Sequence, residues 1–171
     1  MVKINICGIT NIDDAMAAVD LGADALGFNF YKKSPRFIEP EKAAEIIAQL
    51  PPFIVPIAVF VNEREDKILE TLKTSCIHGV QFHGDETPEF CQRFDNHVIK
   101  AFQVKDKESL KHMSHYRVSA YLLDSYREGM RGGTGETFDW HLAVVAKTFG
   151  RIILAGGLLN YMKTVSQQET K

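Results

Sequence analysis

The sequence predicts an α/β protein of the (β/α)8 barrel type, and three observations carry that expectation. Short β-rich apolar runs alternate with longer amphipathic segments from one end of the chain to the other. No G-x-G-x-x-G turn follows the first run, which removes the main warrant for an open dinucleotide-binding sheet. Residues able to do chemistry recur where the runs end, the position from which parallel α/β proteins present side chains to a ligand.

The predicted strands are Lys3 to Cys7, Ala25 to Phe30, Ile54 to Phe60, Gly79 to Phe82, Val98 to Phe102, Ala120 to Leu123 and Ile152 to Ala155. Strands covered by helices on both faces read as nearly continuous apolar runs, as most of these do. Between the first two strands lies a helical pattern from Asn11 to Leu21, with Ile12, Ala15 and Val19 on one face. The next helix, Pro40 to Leu50, gathers Ala43, Ala44, Ile46, Ile47 and Leu50 on one side. Further helices are expected over Glu63 to Thr74, Pro88 to Phe94, Lys107 to Ser114 and Trp140 to Phe149, each bounded by Asp, Thr, Ser, Gly or Pro. After Leu158 the chain turns polar, ending Gln167-Gln168-Glu169-Thr170-Lys171, and no eighth strand can be drawn. The expectation is therefore a single barrel domain over residues 1–171, truncated after strand seven and incomplete with about seven strands.

Composition narrows the partners. A net charge of −2 and a pI near 6.3 leave no basic excess for a polyanion, so neither nucleic acid nor an anionic membrane surface is expected. A small-molecule partner is expected instead. Cys7, Cys76 and Cys91 lack CxxC or metal-ligand spacing, and the N-terminus has no basic stretch followed by an apolar one. These features predict a reduced, cytoplasmic protein without a metal site. No apolar stretch approaches the roughly 18–20 residues a spanning helix needs. Cys76 and Cys91 fall in helical settings and read as packing residues, and His78, His97, His112, His115 and His141 read as surface residues.

Cys7 ends the first strand before Gly8, as a candidate base or nucleophile, or as a small buried hydrophobe. Arg36, in Ser34-Pro35-Arg36 after strand two, offers a planar fork for a carboxylate, or is an exposed arginine on a basic loop. His83 follows strand four as a candidate substrate contact, and the acids Asp85 and Glu86 behind it read as charges for the helix starting at Pro88. Asp124 ends strand six at the same face as Cys7, as a proton donor or a loop cap. Two glycine clusters complete the set. Gly132-Gly133-Thr134-Gly135 is a loop able to wrap a ligand, and Gly156-Gly157 after strand seven is the better phosphate site, since barrels commonly bind phosphate at the loops after strands seven and eight.

Taken in order, Lys3 to Thr10, Gly27 to Arg36, Phe60-Val61-Asn62, Val80 to Glu86, Leu122-Leu123-Asp124, Gly132 to Trp140 and Leu154 to Leu158 closely resemble the phosphoribosylanthranilate isomerase family of tryptophan biosynthesis. The resemblance implies a cofactor-free and metal-free Amadori rearrangement of N-(5-phosphoribosyl)anthranilate to 1-(2-carboxyphenylamino)-1-deoxyribulose 5-phosphate, an aldose-ketose type of isomerisation. It gives Asp124 the part of general acid at the furanose oxygen and Cys7, as thiolate, that of base at C2′. Arg36 would clamp the anthranilate carboxylate, His83 would lie near the aromatic end, Gly132 and Gly133 would close over the substrate, and Gly156 and Gly157 would donate N–H groups to phosphate. The expected assembly is a monomer or homodimer. Two rival readings remain. A related histidine-pathway isomerase does the same rearrangement with two aspartates, and Cys7 argues against it; a non-catalytic barrel remnant would bind a phosphorylated ligand or a partner through an exposed strand edge.

Overall fold

A computed structural model describes residues 2–125 and 141–156. They form two compact units, Met1–Glu86 with Asp95–His97, and Thr87–Phe94 with Val98–Lys171.

In the first unit, β1 (Asn5–Cys7), α1 (Ile12–Asp20), β2 (Ala25–Asn29), α2 (Pro40–Ile47), β3 (Val55–Phe60), α3 (Glu65–Ser75) and β4 (Gly79–Phe82) follow one another. All pairings are parallel and sequential, with Cys7 opposite Gly27, Gly27 opposite Ile57 and Phe60 opposite Phe82. Leu26, Phe28, Ala58, Val80 and Phe82 have no solvent exposure at all, so the central strands are buried on both faces. The first helix starts where the sequence places it. Asn11 has extended backbone and its side chain accepts from the amide of Asp14 at 2.8 Å, while Asp13 and Asp14 put negative charge on the first turn. Pro40 begins α2 at a position that has no intrahelical N–H partner to lose, and α2 packs beside α3.

The second unit contains α4 (Pro88–Cys91), β5 (His97–Val104, whose first residue falls in the first unit), a 3₁₀ helix (Glu108–His115), β6 (Ala120–Ser125), α5 (His141–Ala146) and β7 (Ile152–Leu154). Strands β5, β6 and β7 pair in parallel, Gln103 opposite Asp124 and Leu123 opposite Leu154. One face packs Val104, Leu110, Met113, Tyr121, Leu123, Leu142 and Ala146 into a single cluster, with Phe102 edge-on to Tyr116 at 5.0 Å between ring centres. The Tyr121 hydroxyl donates to the carbonyl of Tyr116 at 2.7 Å, and burial pushes its phenol above the usual range.

Seven parallel strands alternating with helices are the (β/α)8-type arrangement expected, incomplete at seven strands among the described residues. The structure differs from expectation mostly at helix ends. The predicted Pro88–Phe94 helix is a single turn ending at Cys91, with Phe94 buried just beyond it. The segment after β5 winds as 3₁₀ over Glu108–His115, with Ser109 bonded back to Asp106 at 3.0 Å. Cys91 is buried, but Cys76 is exposed, standing at the left-handed C-cap of α3 with φ 57° rather than packing on its core face. The five histidines read as surface residues are all exposed. Among the described residues no helix is long and apolar enough to cross a membrane.

Asp24 joins the start of β1 to the turn before β2. Its carboxylate accepts from Lys3 Nζ at 2.5 Å and from the Ile4 amide at 2.8 Å, and these bonds, Lys3 first, hold its carboxyl below the usual range. A group so depressed contributes stability that is full above its unfolded value and lost as pH falls through the folded one. The urea midpoint of the intact chain should therefore exceed that of Asp24→Asn at about pH 6, and the difference should shrink below about pH 4. A difference that grows on acidification contradicts this.

Candidate active site

The first cluster is built on glycine at two close approaches. A Cβ on Gly27 would lie 2.9 Å from Cys7 Sγ and 3.1 Å from Cys7 Cα, so the thiol occupies space that only a glycine in β2 leaves open. Gly8 has φ +94°, a conformation that admits glycine readily, and its amide donates to the Gly27 carbonyl at 2.8 Å. Any Cβ there would meet the Arg36 guanidinium, with Nη1 at 2.7 Å. Arg36 Nη1 donates to the Cys7 carbonyl at 2.7 Å, so the arginine is exposed yet tied to the strand end that carries the thiol.

The loop that delivers Arg36 is ordered from within. Asn29 Oδ1 accepts from the Tyr31 amide at 2.9 Å, Asn29 Nδ2 donates to Ser34 Oγ at 3.1 Å, and Ser34 Oγ accepts from the Arg36 amide at 3.1 Å. This is local side-chain to backbone bonding of the kind that Asn and Ser favour in turns. It sets the direction in which the arginine leaves the loop.

His83 is half-buried just past β4, its amide donating to the Phe60 carbonyl at 2.8 Å. Its Nδ1 lies 3.0 Å from Gln81 Nε2. The Gln81 amide therefore holds the Nδ1 edge of the imidazole, and Nε2 stands at the other edge of the ring. Gln81 is buried, and its Oε1 has no hydrogen-bond partner among the described residues. The cap of the following helix and the bonds of the acid at position 86 are separate. Thr87 caps α4, accepting from the Phe90 amide at 3.2 Å, while Glu86 accepts from the Asn62 amide at 2.7 Å and the Gly84 amide at 2.9 Å.

In the second unit Asp124 is buried at 2% exposure, and its Oδ1 accepts from the Ser125 amide at 2.9 Å. Gly156, at φ +75°, follows β7, and a Cβ there would meet Ser125 Oγ at 2.6 Å and Asp124 Oδ1 at 3.0 Å. Gly156 thus makes room for the carboxylate, a part the sequence reading did not give it. Gly132, Gly133 and Gly157 lie outside the described residues. Among the described residues no group of three His, Cys, Asp or Glu side chains is placed to hold a metal ion.

Each titratable candidate stands within one residue of the carboxyl end of its strand: Cys7 at the end of β1, Asp124 one residue before the end of β6, His83 one residue past β4. Barrel enzymes carry their chemistry at that end. Residues 4–168 match the family model of N-(5'-phosphoribosyl)anthranilate (PRA) isomerase. The chain belongs to the phosphoribosylanthranilate isomerase family. An N-(5'-phosphoribosyl)anthranilate isomerase of Geotalea uraniireducens is 57% identical over 158 residues, covering 92% of this chain and 78% of the relative. The crystal structure of the phosphoribosyl anthranilate isomerase from Thermotoga maritima superposes with a TM-score of 0.85 at 41% identity, over 92% of this chain and 78% of that one. A further phosphoribosyl anthranilate isomerase structure, 39% identical with a TM-score of 0.81 over 92% of this chain and 76% of that one, is a complex with reduced 1-(o-carboxyphenylamino)-1-deoxyribulose 5-phosphate.

Sequence reasoning gave Gly27, Asn29, Gln81 and Ser34 no part of their own in this candidate site. A glycine inside a predicted strand signals close backbone approach, and that signal was available at Gly27. Gly27→Ala should destabilise the protein by about 1–3 kcal/mol in chemical denaturation, because the added methyl meets both backbone and thiol of Cys7. Gly22→Ala, whose Cβ meets nothing within 4 Å but whose φ is +91°, separates conformational strain from overpacking. An unchanged stability in Gly27→Ala would remove the packing explanation there.

Proposed function

We propose that this chain catalyses the Amadori rearrangement of N-(5-phosphoribosyl)anthranilate in tryptophan biosynthesis, with Asp124 as general acid and Cys7 as general base. The observation that supports this most is the family match over residues 4–168, within which these two proton-handling side chains lie at the carboxyl ends of β6 and β1. Asp124 gives its proton to the furanose ring oxygen as the C1′–O bond breaks and the anthranilate nitrogen's lone pair forms the C=N bond of a Schiff base. Cys7, as thiolate, takes the C2′ proton, and the released pair forms the enolamine. Tautomerisation removes the C2′ hydroxyl proton and delivers one to C1′, so atoms and electrons balance and no redox partner is required.

The remaining residues bind and orient. The guanidinium of Arg36 has five N–H donors in a plane and spends one on the Cys7 carbonyl, which keeps the rest of the fork oriented for the anthranilate carboxylate. His83 lies near the aromatic end, Gly132 and Gly133 close over the substrate, and Gly156 and Gly157 offer backbone N–H groups to the phosphate. Phosphate binding far from the reacting carbons helps organise them. In this reading the protein works in the cytoplasm, without cofactor, as a monomer or homodimer, on a phosphorylated small molecule.

Turnover of freshly prepared N-(5-phosphoribosyl)anthranilate, followed by anthranilate fluorescence, tests the proposal. Cys7→Ala and Asp124→Asn should each lower kcat by about 100- to 10,000-fold, the range that a positioned acid or base contributes. Turnover by the intact chain that survives either change unaltered overturns that residue's role. Arg36→Lys keeps the charge but loses the planar fork, and should raise KM by about tenfold with a smaller effect on kcat. An unchanged KM there would remove the carboxylate clamp.

A further inference from the structure

We propose that Glu86 is a positioning residue for this reaction: its buried carboxylate locks the loops after β3 and β4 into one arrangement and so aims His83. The inference rests on His83 touching the substrate, as given above.

The three consecutive backbone N–H groups around His83 are all engaged. The His83 amide donates to the Phe60 carbonyl at 2.8 Å, the Gly84 amide to Glu86 Oε2 at 2.9 Å, and the Asp85 amide to Asn62 Oδ1 at 2.6 Å. Two of these reach directly into the end of β3 or the loop that follows it. The third reaches that loop through Glu86, whose other oxygen accepts from the Asn62 amide at 2.7 Å. Asn62 Nδ2 also donates to Asp85 Oδ2 at 3.2 Å, so Asn62 and Asp85 clasp each other across the two loops.

Two further observations show that the arrangement tolerates little change. Asn62 sits at φ 50°, in the left-handed region that non-glycine residues occupy only when their surroundings hold them there. A Cβ on Gly84 would lie 2.7 Å from both the Asn62 amide and Glu86 Oε1, so the backbone of the His83 loop is pressed against the clasp. Glu86 itself is only 6% exposed.

Ionised glutamate suits this place because both of its oxygens accept, and hydrogen bonds to an ionised acceptor are about twice as strong as neutral ones. Glutamine of the same shape accepts with one oxygen and turns an NH2 group against the second backbone N–H. Glu86→Gln therefore releases either Asn62 or Gly84, and Gly84 is the residue next to His83. The side chain and backbone of His83 are held by different partners, the ring by Gln81 and the neighbouring backbone by Glu86.

The test is a double-mutant cycle on the full chain, read as the Kd for reduced 1-(o-carboxyphenylamino)-1-deoxyribulose 5-phosphate by calorimetry. Glu86→Gln and His83→Ala should each weaken binding by about tenfold, and the double variant should bind no more weakly than His83→Ala alone. In parallel, ¹⁵N-edited NMR of Glu86→Gln should show moved amide resonances for Asn62 and Gly84 and a moved imidazole signal for His83, which a merely stabilising residue would leave in place. Asn62→Gly keeps the backbone conformation and the Glu86 bond while removing both bonds to Asp85. It should weaken binding by about threefold, again only when His83 is present, and it serves if Glu86→Gln does not fold. Losses that multiply in the double variant, or unaltered affinity in a folded Glu86→Gln while His83→Ala weakens binding, overturn the positioning role alone. Unaltered affinity in His83→Ala overturns the reading of His83 first, and the role of Glu86 with it.

Discussion

The close approach of β1 to β2 at Cys7 and Gly27 is the contact on which the rest of the first unit's strand-end geometry depends. Parallel strands held in register bring Cys7 and Gly27 side by side, and the thiol then needs the volume that a β2 side chain would fill. Gly8 turns the chain immediately afterwards at a positive φ, which lets the Arg36 side chain lie across the turn and bond the Cys7 carbonyl. A charged group with five donors is thereby held by the backbone of the neighbouring strand. Its position follows from the packing of two glycines and needs no acidic partner.

Much of this was readable in the chain beforehand, for identifiable reasons. Asn11 before an acidic first turn and Pro40 at a helix start are local signals, and both helices begin there. The seven strands were legible because doubly covered parallel strands are apolar along their whole length. What escaped depended on contacts between segments distant in sequence. Glu86 looks like a charge for the helix after it, and nothing in Asp85-Glu86-Thr87 reveals that its carboxylate bonds Asn62, twenty-four positions earlier. Gly156 looks like a phosphate glycine, yet its lack of a side chain also accommodates Asp124. Cys76 sits in a helical setting but caps that helix at a left-handed residue and is exposed.

The two units handle their carboxylates differently. Asp124 is buried with its Oδ1 on the amide of the next residue, a short local bond that leaves the carboxyl group in the neighbourhood of Gly156. Glu86 is buried with both oxygens committed to backbone amides of two loops. The first carboxylate is bonded within its own turn, whereas the second ties two loops together.

Two side chains of site loops in the first unit are anchored on a neighbouring module: Arg36 on β1, Asn62 on the loop after β4. Single βα modules of this protein are therefore incomplete as units of inheritance. A recombination point placed between β1 and β2, or between β3 and β4, would separate a residue from the backbone that orients it, whereas one placed between β2 and β3 would leave both pairings whole. Chimaeras assembled from blocks of two βα modules should for that reason keep their loop geometry where exchanges of one module lose it.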